Sequence, residues 1–170
     1  MLIFLIGFMG AGKSSIGIEL AKRLNLDFID LDKALGLETG ISIEEWFEDR
    51  GEDAFRVAES ECIHAKLSLK NTIIATGGGT PCFHNNMDVM NKVGITIYLK
   101  LHSGSIYHRL AKAGKDRPLL KGKTDVELME YILITLDKRE VFYSKALITI
   151  KDESPDLNVL EKLILKKVND

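Results

Sequence analysis

The sequence predicts an α/β domain: a five-stranded, mostly parallel sheet with helices on both faces. Three observations carry this. Short apolar runs, too brief for helices, recur five times along the chain. Segments with helical spacing separate them, and parallel strands require such crossovers. The first run opens directly into a glycine-rich turn followed by a helix, a strand–turn–helix order found at the ligand-binding end of such sheets.

Leu2-Ile3-Phe4-Leu5-Ile6 is continuously apolar and partly β-branched, which suits a strand buried on both faces. After the glycine turn, Ile16, Leu20 and Leu24 recur at helical spacing, with Asn25 as a left-handed stop. Phe28-Ile29-Asp30-Leu31-Asp32 reads as a second strand. Ser42 and Glu45 form a capping-box signal for a helix carrying Trp46 and Phe47, and Gly51 breaks it. A helix from about Asp53 to Leu67 and a third strand, Asn71 to Thr76, follow, the strand ending in Gly77-Gly78-Gly79. Next come a helix around Asn86–Lys92, a fourth strand from Ile95 to Leu101 and a short helix from Ser105 to Lys112. Thr124 and Glu127 form a second capping box, opening a long helix to about Tyr143. Ala146 to Ile150 is a fifth strand. Pro155 sits at the start of a terminal helix, one face of which is formed by Leu157, Leu160, Leu163, Ile164 and Val168.

With 170 residues, 45% hydrophobic and 28% charged, the chain can bury a sizeable core, which excludes wholesale disorder. No repeat or linker divides it, so one domain spanning 1–170 is expected. The charge sum, 23 − 25 = −2, argues against a nucleic-acid or anionic-membrane partner. No apolar stretch is long enough to span a bilayer. The apolar start lacks a charged n-region and runs straight into the glycine loop, so it is not read as a signal peptide. Cys62 and Cys82 are expected as free thiols in a reducing compartment, and the four histidines show no metal-ligand spacing. A cytoplasmic monomer is the expectation.

Gly7-Phe8-Met9-Gly10-Ala11-Gly12-Lys13-Ser14 matches the P-loop pattern G-x-x-x-x-G-K-[ST]. Glycines let the backbone curl so that successive N–H groups face one anion, and the following helix adds its positive N-terminal end. Lys13 can reach β- and γ-phosphates, and the Ser14 hydroxyl can ligate Mg²⁺. Asp30 and Asp32, spaced i, i+2 on a strand, would share one face and point together into the ligand crevice. Arg56 and Glu59 lie at i, i+3 on a helix. They are either a surface ion pair or a guanidinium oriented by Glu59 to grip a substrate carboxylate. The triple glycine is either a turn or a place where a ligand meets bare backbone. Lys112, Lys115, Arg117, Lys121 and Lys123 surround Pro118. This segment is either a solvated loop or a lid that delivers an arginine to a transferring phosphoryl group.

Taken together and in order, these blocks resemble the shikimate kinase family, nucleoside-monophosphate-kinase-like P-loop kinases with a lid. The P-loop is matched by Gly7–Ser14, an F-x-D-x-D block by Phe28, Asp30 and Asp32, and F-R-x-x-E by Phe55, Arg56 and Glu59. The G-G-G block is Gly77–Gly79, the lid R-P-L is Arg117-Pro118-Leu119, and a late R-x-x-x-Y is Arg139 and Tyr143. The resemblance implies transfer of the ATP γ-phosphoryl group to the 3-hydroxyl of shikimate, in aromatic amino acid biosynthesis. It implies nucleotide binding by Gly10, Ala11, Gly12, Lys13, Ser14, Ser15, Arg109 and Arg117, with Arg109 near the adenine. One Mg²⁺ would sit with Ser14 and Asp30. Asp32 would hold the acceptor hydroxyl and favour its deprotonation, with Lys13 and Arg117 neutralising phosphoryl charge. Arg56 and Arg139 would grip the shikimate carboxylate, and the Gly78 N–H, between Gly77 and Gly79, would bind a ring hydroxyl. Ile43, Phe47, Phe55, Pro118 and Leu119 would pack around the ring, with Glu59 beside Arg56. The acceptor-binding segment would span about 32–60 and the lid about 112–124.

Other small-molecule kinases share the P-loop and lid but do not explain Arg56, Arg139 and the triple glycine together. A GTPase would show an N-K-x-D motif, which is absent. A catalytically silent nucleotide-binding module would have no need of the intact set of chemical groups.

Overall fold

Residues 1–113 and 118–169 are described by a computed structural model of the chain. Strand β1 (Leu2–Ile6) lies at the centre of a five-stranded sheet, flanked by β3 (Thr72–Ala75) and β4 (Ile95–Leu99). Strand β2 (Asp27–Asp30) lies outside β3 and β5 (Ile148–Ile150) outside β4, giving the order β2-β3-β1-β4-β5. Every pairing is parallel, with Ile3 opposite both Ile73 and Ile95. β1 is apolar at every position because both its faces are covered. Ile3 and Leu5 enter one core, with Leu20, Ile106, Leu110, Leu128, Leu160 and Ile164. Leu2, Phe4 and Ile6 enter the other, with Leu31, Leu35, Trp46, Phe55, Ile63 and Tyr143.

Eight helices are described: α1 (Lys13–Leu24), α2 (Leu31–Thr39), α3 (Ile43–Glu45), α4 (Gly51–His64), α5 (Asn86–Val93), α6 (Ser103–Ala113), α7 (Asp125–Tyr143) and α8 (Leu157–Asn169). The expected stop after α1 is present: Asn25 is left-handed at φ 53°. Both expected capping boxes form, at Ser42–Glu45 and Thr124–Glu127. The first opens only one turn of α-helix, which widens into a π-helical segment, Trp46–Arg50, before α4 begins.

The structure corrects the sequence reading in three places. The second strand stops at Asp30, and Asp32 lies in the first turn of α2, a helix the periodicity reading passed over. Asp30 is the N-cap, its carboxylate accepting from the Lys33 N–H at 3.3 Å, and Leu31 and Leu35 bury one turn apart. The fifth strand begins at Ile148, because the Ala146 N–H turns back to the Tyr143 carbonyl and the Leu147 N–H to the Thr96 hydroxyl. On α8, Leu157, Leu160 and Ile164 are buried, whereas Leu163 on the flank and Val168 in the last turn are exposed. No described helix is long and apolar enough to cross a membrane.

Candidate active site

A cleft of about 720 Å³ opens at the carboxyl ends of the strands. Its floor is the loop between β1 and α1. Gly10 and Gly12 take φ of 80° and 91°, conformations that favour glycine, and so the loop wraps inward. The Lys13 ammonium, largely buried, donates to the carbonyls of Gly7 (2.8 Å) and Phe8 (2.9 Å). Ser14 Oγ donates to Asp30 Oδ2 at 2.6 Å. Among the described residues, no three His, Cys, Asp or Glu side chains converge as a metal cage. One hydroxyl and one carboxylate beside a phosphate loop suit Mg²⁺, which keeps several waters and takes its other ligands from phosphates.

A second part of the cleft wall is built on α4. Arg56 is 4% exposed, and its guanidinium sits 4.7 Å from the centre of the Phe83 ring and 5.1 Å from that of Phe55. Two carboxylates hold it. Glu59 Oε2 accepts from Nη1 at 2.9 Å, and Glu52 Oε1 accepts from Nε (3.2 Å) and Nη2 (2.9 Å). The pair read as either surface or functional is therefore buried. Arg139, on α7, is 8% exposed, lies 5.5 Å from the Phe8 ring centre and keeps a buried Nη1 with no hydrogen-bond partner in the protein. One turn on, the Tyr143 hydroxyl donates to the Gly78 carbonyl at 2.5 Å. Burial pushes the Tyr143 phenol well above its ordinary pKa, more than offsetting Arg139 beside it, so it stays a neutral donor.

The triple glycine is a close-approach device. None of the three has positive φ. A Cβ at Gly77 would fall 2.3 Å from Glu59 Oε1 and 2.9 Å from Asp32 Oδ1. At Gly78 it would meet Arg139 Nη1 at 3.2 Å, and at Gly79 the Arg56 guanidinium at 2.4 Å. Each glycine thus makes room for a charged side chain aimed at the cleft.

Gly10, Gly12, Lys13, Ser14, Ser15, Asp30, Asp32, Ile43, Phe47, Phe55, Arg56, Glu59, Gly77, Gly78, Gly79, Arg109, Leu119 and Arg139 all line this one cleft. Ala11 does not: it is buried in the core and its N–H donates to the Phe8 carbonyl at 3.1 Å. Arg117 and the Pro118 side chain lie outside the described residues. Arg109 bridges the P-loop and the segment after β5, donating to the carbonyls of Gly10 (3.4 Å) and Glu153 (2.9 Å). Sequence reasoning missed Glu52, although a Glu four residues before an Arg is a recognisable helix pair. Lys121, named in the basic segment, reaches Glu44 (3.0 Å) and Glu48 (3.3 Å), a contact that no local pattern encodes.

A parallel sheet with a phosphate loop on its central strand, a carboxylate beside the loop's serine, and two buried arginines lining the same cleft define a P-loop kinase of small molecules. The family model described as shikimate kinase matches residues 9–168, and the chain belongs to that family. A shikimate kinase of Bacteroides thetaiotaomicron is 44% identical over 144 residues, which are 85% of this chain and 82% of that protein. The crystal structure of a shikimate kinase from the same organism superposes with a TM-score of 0.92 at 38% identity, covering 97% of this chain and 98% of that one. Shikimate kinase from Acinetobacter baumannii in complex with shikimate superposes with a TM-score of 0.84 at 31% identity, covering 98% and 92% of the two chains.

Proposed function

We propose that the chain transfers the γ-phosphoryl group of ATP to the 3-hydroxyl of shikimate, releasing ADP and shikimate 3-phosphate. The observation that carries this is that two buried arginines, Arg56 and Arg139, line the same cleft as the P-loop, with Arg139 against Phe8. Arg139 Nη1 is a buried cationic donor without an acceptor. Such a group is costly unless an anion arrives to meet it. Two guanidiniums suit a small carboxylate better than a neutral sugar.

Lys13, with the backbone of Gly10, Gly12, Ser14 and Ser15, holds the phosphates, and Arg109 flanks the base. Ser14 and Asp30 are the groups that would hold Mg²⁺, which when bound neutralises charge on the β- and γ-oxygens. Asp32, on the first turn of α2, accepts the hydroxyl proton as the acceptor oxygen attacks. The Gly78 N–H binds a ring hydroxyl. Ile43, Phe47, Phe55 and Leu119 pack the ring and exclude water, with Pro118 beside them. Arg117 would neutralise charge on the transferring group, in a lid of about 112–124, and the acceptor-binding segment would span about 32–60. Alignment and charge neutralisation are what phosphoryl transfer requires from a protein. One chain supplies every group named, so the enzyme works as a monomer, in the cytoplasm where ATP and free thiols coexist. A coupled assay of ADP release with and without shikimate tests the reading. Release should depend on shikimate and saturate with it. Equal release without it, or with gluconate or a nucleoside monophosphate in its place, overturns it.

A further inference from the structure

We propose that Thr80 is a positioning residue of the acceptor site, acting through Glu59 on Arg56. The inference rests on the reading of Arg56 as a carboxylate anchor. Glu59 is 1% exposed and its two oxygens have different partners. Oε2 takes Arg56 Nη1 at 2.9 Å, and Oε1 takes the Thr80 hydroxyl at 2.5 Å. Thr80 is itself fully buried, in the turn that follows the triple glycine. Its carbonyl accepts from Asn86 Nδ2 at 3.0 Å, and Asn86 Oδ1 accepts from the Ser60 hydroxyl at 2.8 Å. Ser60 follows Glu59 on α4, so the bonds close a circuit from α4 through the turn to α5 and back. The Thr80 N–H also donates to the Gly77 carbonyl, at 3.3 Å, tying the circuit to the glycine loop.

A buried carboxylate must have its oxygens satisfied. With the hydroxyl present, Glu59 offers only Oε2 to Arg56. The guanidinium then packs against Gly79, with Nη1 on Glu59 and Nη2 on Glu52, and each nitrogen keeps one further hydrogen for an incoming carboxylate. Without the hydroxyl, Oε1 loses its donor on a carboxylate that is 1% exposed. The carboxylate then turns both oxygens toward Arg56 and draws the guanidinium out of its plane. Among the described residues no hydrogen bond of the circuit runs to the P-loop, so nucleotide binding stays as it was.

The test compares Thr80→Val, which keeps the shape and removes the hydroxyl, with Thr80→Ser, which keeps the hydroxyl and removes the methyl. Thr80→Val should raise the KM for shikimate by about 10- to 100-fold, the effect of leaving a buried acceptor unsatisfied. Its KM for ATP should stay within about twofold, and kcat should fall less than kcat/KM. Thr80→Ser should restore the shikimate KM. A purely packing role predicts the reverse order, Ser worse than Val, and that order overturns the proposal. So does an unchanged shikimate KM in folded Thr80→Val. If the valine variant does not fold, Thr80→Cys, with its weaker S–H donor, replaces it. An intermediate KM supports the proposal and a wild-type KM overturns it. Wild-type enzyme that ignores shikimate overturns the acceptor assignment, and this inference with it. Wild-type turnover with no Val–Ser difference overturns the inference alone.

Discussion

Arg56 already carries two carboxylates within the protein. Glu52 occupies the Nε–Nη2 edge and Glu59 one hydrogen of Nη1, which leaves the end of the fork for a third carboxylate. The Arg56–Glu59 bond is buried beside aromatic rings and so is stronger than it would be at a surface, whereas Glu52 is half exposed. Lysine has one rotating ammonium and cannot serve three directions in one plane. Arg56→Lys should therefore raise the KM for shikimate by roughly 30- to 150-fold, about 2–3 kcal/mol, the upper part of the range for bonds to charged groups. The KM for ATP should be almost unchanged in the same steady-state assay. Asp32 invites a different substitution. Asp32→Asn keeps the shape but cannot take a proton, so kcat should fall by about 10²–10⁴-fold. Nucleotide affinity, read by titration calorimetry, should hold. Loss of affinity with turnover preserved would exchange the roles of Asp30 and Asp32. Cys82, near both arginines, is no rival nucleophile: burial pushes its thiol up to about 11 despite Arg139 and Arg56.

At the scale of elements, the site depends on where helices begin and end. Asp30 both caps α2 and faces Ser14, so one carboxylate starts the helix that carries Asp32 and completes the phosphate end of the cleft. Helix α7 is anchored at both ends. Thr124 and Glu127 form a reciprocal cap at its start, and Tyr143 bonds the glycine loop at its finish, one turn beyond Arg139. Thr124→Ala removes the side-chain acceptor for the Glu127 N–H. It should cost about 1 kcal/mol, seen as a lower urea midpoint with an unchanged slope. No change in midpoint would mean that the first turn of α7 is held by packing instead of its cap.

For the whole molecule, α2 and α4 must stay together, because α2 carries Asp32 and α4 carries Arg56 and Glu59. A polar stitch joins their far ends: Lys66 Nζ donates to Glu38 Oε1 (2.6 Å) and to the Cys62 carbonyl and sulfur (3.2 Å each). The hydrogen bond from Lys66 holds the Glu38 carboxyl below its ordinary 4.5 against partial burial. Burial works against the Lys66 charge, but its bonds to Glu38 and Cys62 outweigh it and raise its pKa above 10.5. A depressed acid stabilises the fold above its unfolded pKa and loses that contribution as pH falls through its folded value. A raised base stabilises below its unfolded pKa and loses that contribution as pH rises through its folded value. The stitch is thus complete between pH 4.5 and 10.5. Lys66→Met should lower the Tm across that window, and the gap to wild type should narrow below pH 4.5 as Glu38 protonates. A gap independent of pH would mean that Lys66 acts through packing alone.

The sequence by itself determined what depends on near neighbours along the chain. The P-loop, the capping boxes, the Asn25 stop and the buried strands are local patterns, since turn geometry, caps and side-chain period act within a few residues. The order of the chemical blocks also carried the resemblance to the shikimate kinases, the family to which the chain belongs. What remained open were choices that only distant contacts settle. Phe28 to Asp32 looks like one strand until Asp30 caps a helix whose leucines find the second core. Arg56 with Glu59 reads equally as a surface pair until Phe83 and the glycine loop close over it. The triple glycine reads as a turn until four charged side chains from α2, α4 and α7 are seen to need its space. Those outcomes belong to the tertiary structure, because burial decides whether a polar pair is solvated or held in place. No local pattern reports which segments, far apart in sequence, will exclude the water.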